Sequence, residues 1–280
     1  MAVDLHTHSS ASDGSDPPAR LIRLAAEQGL STIALTDHDN LDGITEARQA
    51  AHESGVGFIP GVELSLEWPK GGMHMVALWI EDRPGPLQDR LAGLRDSRNS
   101  RNTVIVQRLR TLGIDVTIEE VEAEAGEGTV GRPHIAAVMV AKGAVPDIQT
   151  AFNEYLAHGR PAYVDRVRLE PEEALQLVNA SGGVSILAHP HTTGIDNRIE
   201  MADMLERLVA AGLTGIECHY GTYDADGRSG MVALARRFGL IPSGGSDYHG
   251  TYKPETELGT GRVGLAVPDS VLAELEASRP

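Results

Sequence analysis

Through its first 80 residues this chain alternates short apolar runs with amphipathic helical stretches, and that alternation constrains the fold more than any other feature. Residues 3–6 read as a strand. Pro17 and Pro18 open a helix in which Leu21, Leu24 and Ala25 recur at helical spacing, and Gly29 stops it. A second strand is expected at 32–36, a helix at 43–54 ended by Gly55, and two more strands at 58–64 and 74–80. Strands in such a rhythm are joined by crossover helices, which points to a parallel sheet or barrel.

After Pro84 and Pro86 the rhythm changes. Helical stretches are expected at 87–112, 117–125, 133–142, 147–157 and 171–180, with no strong strand among them. Strands return at 184–188, 215–218 and 240–243, with helices around 199–211 and 231–238 and a surface helix at 271–277. The expected architecture is an α/β barrel, residues 1–86 and 181–280, interrupted by a helical insertion at 87–180. A length of 280 residues fits one large domain with an insertion. The lone cysteine, Cys218, excludes an internal disulfide framework and fits a reducing cytoplasm. No run approaches the ~18 apolar residues of a membrane span, and the first residues lack the pattern of a secretory signal. A formal net charge of −16 disfavours a groove for nucleic acid, so no stable nucleic-acid complex is expected. That charge does not exclude phosphate substrates, because bound multivalent cations invert the local field.

Histidine and acidic residues gather at the ends of the expected strands: His6 and His8, Asp13, Asp37-His38-Asp39, Glu63, His74, His189, Asp247 and His249. In parallel barrels the strand ends form one rim, so groups distant in sequence converge there. His6 and His8, one residue apart on a strand, point the same way and can reach one ion. Asp247 and His249 repeat that spacing. Glu63 ends the apolar run 58–62, where a carboxylate is costly unless paired or bound to metal. Asp13 could instead cap a helix, and Asp37 or Asp39 could serve turns. Mixed imidazole and carboxylate without thiolate suits Mn²⁺, Fe²⁺ or Zn²⁺. So many ligands exceed the ~4 of one tetrahedral ion, and two or three divalent ions are expected.

Asp4-Leu5-His6-Thr7-His8-Ser9, Ser12-Asp13-Gly14, Ala34-Leu35-Thr36-Asp37-His38-Asp39, Pro60-Gly61-Val62-Glu63, Ala188-His189-Pro190 and Gly245-Ser246-Asp247-Tyr248-His249 resemble, in order, the motifs of the PHP (polymerase and histidinol phosphatase) family. The resemblance implies a distorted (β/α)7 TIM-like barrel with a trinuclear metal centre, manganese foremost, and phosphoesterase chemistry. It implies one metal on His6, His8, Glu63 and Asp247, a second on Asp13, His38 and His249, and a third on Glu63, His74 and His189. A hydroxide bridging the metals would be the nucleophile, with Asp13, His38 and Glu63 in catalytic positions.

Residues 87–112 carry the apolar stripe Leu87, Leu91, Leu94, Ile105, Leu109 and Leu112, with Arg98, Arg101 and Asn102 at intervening positions. Arg132 and His134 stand at the start of another helix, where an anion can bind. These five are the candidate substrate-binding residues of a helical cap. Within the family resemblance, the segment Gly131-Arg132-Pro133-His134 and the first two motifs look like the branch that releases the 3′-phosphate of nucleoside 3′,5′-bisphosphates. The alternatives are histidinol-phosphate phosphatase, a cyclic-phosphate diesterase, 5′–3′ trimming of short RNA, and a non-catalytic metal-dependent binding module. The expected partner is a small phosphorylated substrate, with no membrane. For leaving-group protonation the candidates are His134, His191 and His219, of which His191 is taken as catalytic.

Overall fold

The computed structural model describes residues 2–126, 130–262 and 264–280. They form two compact units, one of the described residues within 1–90 and 168–280, the other of those within 91–167. The first is a nearly closed barrel of seven strands in sequential order: β1 (Ala2–Asp4), β2 (Leu30–Leu35), β3 (Gly57–Leu66), β4 (Met73–Leu78), β5 (Val184–Ala188), β6 (Gly215–Tyr220) and β7 (Ile241–Gly245). A bridge between Thr7 and Tyr248 joins the segments beyond β1 and β7. Asp247 N–H donates to His6 C=O at 2.9 Å beside it.

Neighbouring strands are parallel except at β4, which runs antiparallel to both β3 and β5. The reversal has a direct consequence. The start of β4, where His74 sits, lies on the same rim as the ends of the other six strands. A short hairpin loop replaces the crossover helix that a parallel strand would need.

Helices α1 (Pro18–Glu27), α2 (Ile44–Ser54), α7 (Pro171–Ala180), α8 (Arg198–Ala210), α9 (Ala225–Arg237) and α10 (Asp269–Ala277) belong to this unit. Pro18 opens α1, which buries Leu21, Ile22 and Ala25. The expected insertion took in 171–180, but α7 buries Pro171, Ala174, Leu175 and Val178 and packs on β5 and β3. It therefore groups with the barrel. α9 begins six residues before the expected 231, because Asp224 caps it, accepting from Gly227 N–H at 2.8 Å. β1 stops at Asp4 rather than residue 6, since the Asp4 carboxylate replaces ladder partners: it accepts from Ser246 N–H at 2.9 Å and Gly259 N–H at 2.8 Å.

In the second unit, α3 (Pro86–Thr111) supplies Ile105 and Leu109 to a core shared with α4 (Ile118–Ala125), α5 (Arg132–Ala141) and α6 (Ile148–Ala151), the last continued by a π-helical turn at Phe152–Leu156. Thr117 and Glu120 cap α4 reciprocally. Leu112, placed in the apolar stripe by its spacing, lies past the end of α3 and is 46% exposed. Among the described residues, no helix is long and apolar enough to cross a membrane.

The barrel core joins Val3, Ile59, Val76 and Ile186 to Val271 and Leu275 of α10. Leu275 is fully buried. Leu275→Ala is expected to destabilise the protein by about 2–5 kcal/mol in chemical denaturation, the usual cost of such a cavity; a change below about 0.5 kcal/mol would show that α10 is not part of this core.

Candidate metal centre

The rim residues converge on Glu63. Its side chain is 1% exposed, and its two oxygens face five imidazoles. Oε2 lies 3.1 Å from His6 Nε2, 3.1 Å from His8 Nε2 and 3.2 Å from His38 Nδ1. Oε1 lies 2.9 Å from both His74 Nδ1 and His189 Nε2. Burial alone would raise the Glu63 pKa, but His38, His6 and His74 outweigh it and hold the carboxyl well below its ordinary range.

Three groups have ligand atoms within 4.8 Å of one another: His6, His8, Glu63 and Asp247; His8, Asp13, His38 and His249; and His38, Glu63 and His74. Two differences from the expected sets stand out. His8 enters two groups, with Nε2 toward Asp247 Oδ1 at 3.3 Å and Nδ1 toward Asp13 Oδ1 at 3.6 Å. His38 occupies the third group where His189 was expected, although His189 approaches the same Glu63 oxygen as His74.

The residues present fit cations. His8 Nδ1 and His38 Nδ1 are buried and make no hydrogen bond, although each looks toward a carboxylate. Such nitrogens facing shared anionic oxygens are the donor set of borderline divalent ions. Burial disfavours charge on these rings, yet Asp247 and Glu63 raise the His8 pKa to about 10, and Glu217 and Glu63 raise that of His6. His38 goes the other way, lowered to about 3 by burial among cationic neighbours, against the pull of Glu63 and Asp13. Asp13 is half exposed at 53%; His38, His249 and His8 hold its carboxyl low despite the opposing effect of desolvation.

Backbone shape sets the aim of these groups. Asp39, His189 and Asp247 have φ of 52°, 25° and 57°, a region that side chains other than glycine rarely occupy. Gly245 brings β7 against His6, because a Cβ there would collide with the His6 backbone N and Cβ. Of Asp37-His38-Asp39, only His38 joins the ligand groups. Asp37 accepts from Ser9 N–H at 2.8 Å and from the hydroxyls of Ser9 and Ser12, both at 2.6 Å. Asp39 accepts from Ser65 N–H at 2.8 Å. Both carboxylates brace the loops that carry ligands.

Three further residues touch the centre without a motif to mark them. Glu217 Oε1 is 2.8 Å from His6 Nδ1, and its Oε2 accepts from the His189 backbone N–H at 2.6 Å. Tyr220 O–H donates to Asp247 Oδ2 at 2.7 Å, and Lys253 Nζ reaches the same oxygen at 2.8 Å. A carboxylate inside the strand 215–220 is the sole sequence signal that could have pointed to Glu217.

His191 is exposed, with Nδ1 2.9 Å from Tyr223 O–H and its ring 6.2 Å from that of His189. Cys218 is buried beside Glu217, and burial pushes its thiol up to about 12, the behaviour of a packing residue. In the second unit, Asn102 is buried and donates to Val130 C=O at 3.0 Å, while Arg101 reaches Asn102 Oδ1 at 3.1 Å. Arg132 donates to Leu156 C=O at 2.9 Å and lies over the rings of Phe152 and Tyr163. His134 Nδ1 accepts from Gly131 N–H at 3.1 Å, and Arg98 is half-buried on α3.

The model of the PHP domain matches residues 4–159. A 3′,5′-nucleoside bisphosphate phosphatase of Chromobacterium violaceum is 34% identical over 253 residues, 88% of this chain and 87% of that protein. The 5′-3′ exoribonuclease Rnm of Escherichia coli is 34% identical over 263 residues, 89% of this chain and 85% of that protein. A crystal structure described as a metal-dependent phosphoesterase from Bifidobacterium adolescentis superimposes with a TM-score of 0.82 at 29% identity, covering 98% of this chain and 95% of that one.

Metal binding must strip protons from ligands that carry them. With His8 held at about 10, adding Mn²⁺ to metal-free protein at pH 7 is expected to release protons. Calorimetric binding enthalpy should then vary with the ionisation enthalpy of the buffer; no variation would contradict the charge state derived for His8.

Proposed function

This chain belongs to the PHP domain family of metal-dependent phosphoesterases, and on that premise we propose that it hydrolyses the 3′-phosphomonoester of a nucleoside 3′,5′-bisphosphate. The observation that carries the reading is Glu63, a single buried carboxylate shared by two ligand groups, which would let neighbouring cations act on one phosphoryl group. Divalent ions in this centre, manganese in our reading and two or three in number, supply the charge that neutralises phosphoryl oxygens and lowers the pKa of the attacking water. The 34% identity to a nucleoside bisphosphate phosphatase over nearly the full length supports the substrate class.

The ligand roles proposed are those of His6, His8, Asp13, His38, Glu63, His74, His189, Asp247 and His249. Asp13 is the most exposed of the carboxylates among them, which suits a ligand on the side open to substrate. Asp13, His38 and Glu63 are the proposed catalytic residues: they would hold the ions that orient the reacting oxygens. His191 is the proposed proton donor to the leaving oxygen. Burial and then His189 lower its pKa, so the ring would donate only after taking up a proton, such as the one released by the attacking water. Arg98, Arg101, Asn102, Arg132 and His134 are proposed to bind the second phosphate. The guanidinium of Arg132, fixed between two rings and a carbonyl, is suited to a planar, charge-assisted contact. The lone buried thiol fits action in the reducing cytoplasm.

A second reading, trimming of 5′ ends of short RNA, is favoured by the equal identity of the exoribonuclease. The assay separates the two. Inorganic phosphate is expected from a nucleoside 3′,5′-bisphosphate with Mn²⁺ and none with a chelator; faster turnover of short RNA, or of histidinol phosphate, overturns the first reading.

Arg98→Ala and Arg132→Ala are each expected to lower kcat/KM for the bisphosphate by about 10- to 100-fold, the worth of a charge-assisted hydrogen bond, with little effect on an aryl phosphate. Equal losses on both substrates would remove the second-phosphate role.

A further inference from the structure

Among the described residues, β6 gives no candidate ligand to the rim; every other strand leads to a residue of the ligand groups or, for β5, to His189, 2.9 Å from Glu63. Yet two of its side chains, Glu217 and Tyr220, bond ligands contributed by other strands. On a regular strand, residues three apart face opposite sides. Here the register against β7 pairs Glu217 with Ser243, then His219 with Gly244 and Tyr220 with Gly245. Cys218 and His219 thus occupy one step together. Such a bulge re-aims the side chains that follow it, and so both Glu217 and Tyr220 reach the centre.

We propose that β6 tunes one ion site, the His6–His8–Glu63–Asp247 group, with Glu217 and Tyr220 as its positioning residues. The inference rests on the metal-holding reading of the centre and is independent of the substrate. Glu217 accepts the Nδ1 proton of His6 and so leaves Nε2, 3.1 Å from His8 Nε2 and from Glu63 Oε2, as the ligand nitrogen. Tyr220 and Lys253 occupy Asp247 Oδ2, which turns Oδ1 toward His8 Nε2 at 3.3 Å. Asp247 therefore offers the group one oxygen rather than two. The ligands whose side chains they contact, His6 and Asp247, appear in neither of the other two groups; Glu217 also takes the His189 backbone N–H, so Tyr220→Phe is the more selective variant.

The test is a Mn²⁺ titration of metal-free protein, with free Mn²⁺ read by electron paramagnetic resonance and bound metal by elemental analysis. Tyr220→Phe removes one hydroxyl and keeps the ring; Glu217→Gln keeps the shape and removes the charge. Each variant is expected to weaken one Mn²⁺ per chain by about 10- to 100-fold while the remaining sites stay within about twofold. The spectrum of the loaded protein should lose its spin-coupled signal in step. Parallel weakening of every site, or no change in either variant, overturns the proposal. Failure of the wild-type protein to take up Mn²⁺ would overturn the metal reading itself and this inference with it.

Discussion

The structure depends on one buried negative charge. A carboxylate inside a barrel costs several kcal/mol unless its surroundings compensate it. Glu63 is compensated by imidazoles from beyond β1, from beyond β2, from β4 and from the end of β5. β1, β2 and β5 must therefore end on one rim, and β4 must start there. The reversed β4 is part of this requirement, since it delivers His74 beside the oxygen that His189 also approaches.

The same residue type has two fates around this charge, decided by what it meets. Asp13 and Asp247 meet imidazoles and stay ionised far below the ordinary range, although desolvation opposes it. Asp4 and Asp37 meet backbone N–H groups and hydroxyls instead; burial dominates and raises both. Asp4 and Asp37 fasten the ligand-bearing loops, and the positive φ values at Asp39, His189 and Asp247 persist because those loops are over-determined. Strain and bracing occur together, at the ends of β2, β5 and β7.

Much of this was legible in the chain because apolar runs of strand length end in histidine or acid again and again. The alternation of strand and helix is readable from periodicity, and so is the change of pattern after Pro86. Roles within the rim were less legible. Asp37-His38-Asp39 reads as three equivalent candidates, and only the backbone path turns His38 inward and the two carboxylates toward Ser9 and Ser65. The double engagement of His8 needs both ring nitrogens located in space. Glu217 and Tyr220 escaped because a two-residue period assigns them to opposite faces, and a bulge leaves no compositional mark. The placement of α7 with the barrel follows from its buried face packing on β5 and β3, which a helical pattern by itself does not disclose.

The hairpin of β3 and β4 also divides the centre by the chain length that must be closed to build it. Glu63 and His74 stand 11 residues apart, while His6 and Glu217 are separated by 211. On the (3/2)RT ln n scaling, the longer closure costs about 2.6 kcal/mol more in chain entropy. The Glu63–His74 contact is thus a local property of one hairpin, available to any chain that forms it. The His6–Glu217 contact exists only when the barrel has closed. The half of the centre that joins the first strand to the sixth is thus the half whose assembly carries the larger entropic cost.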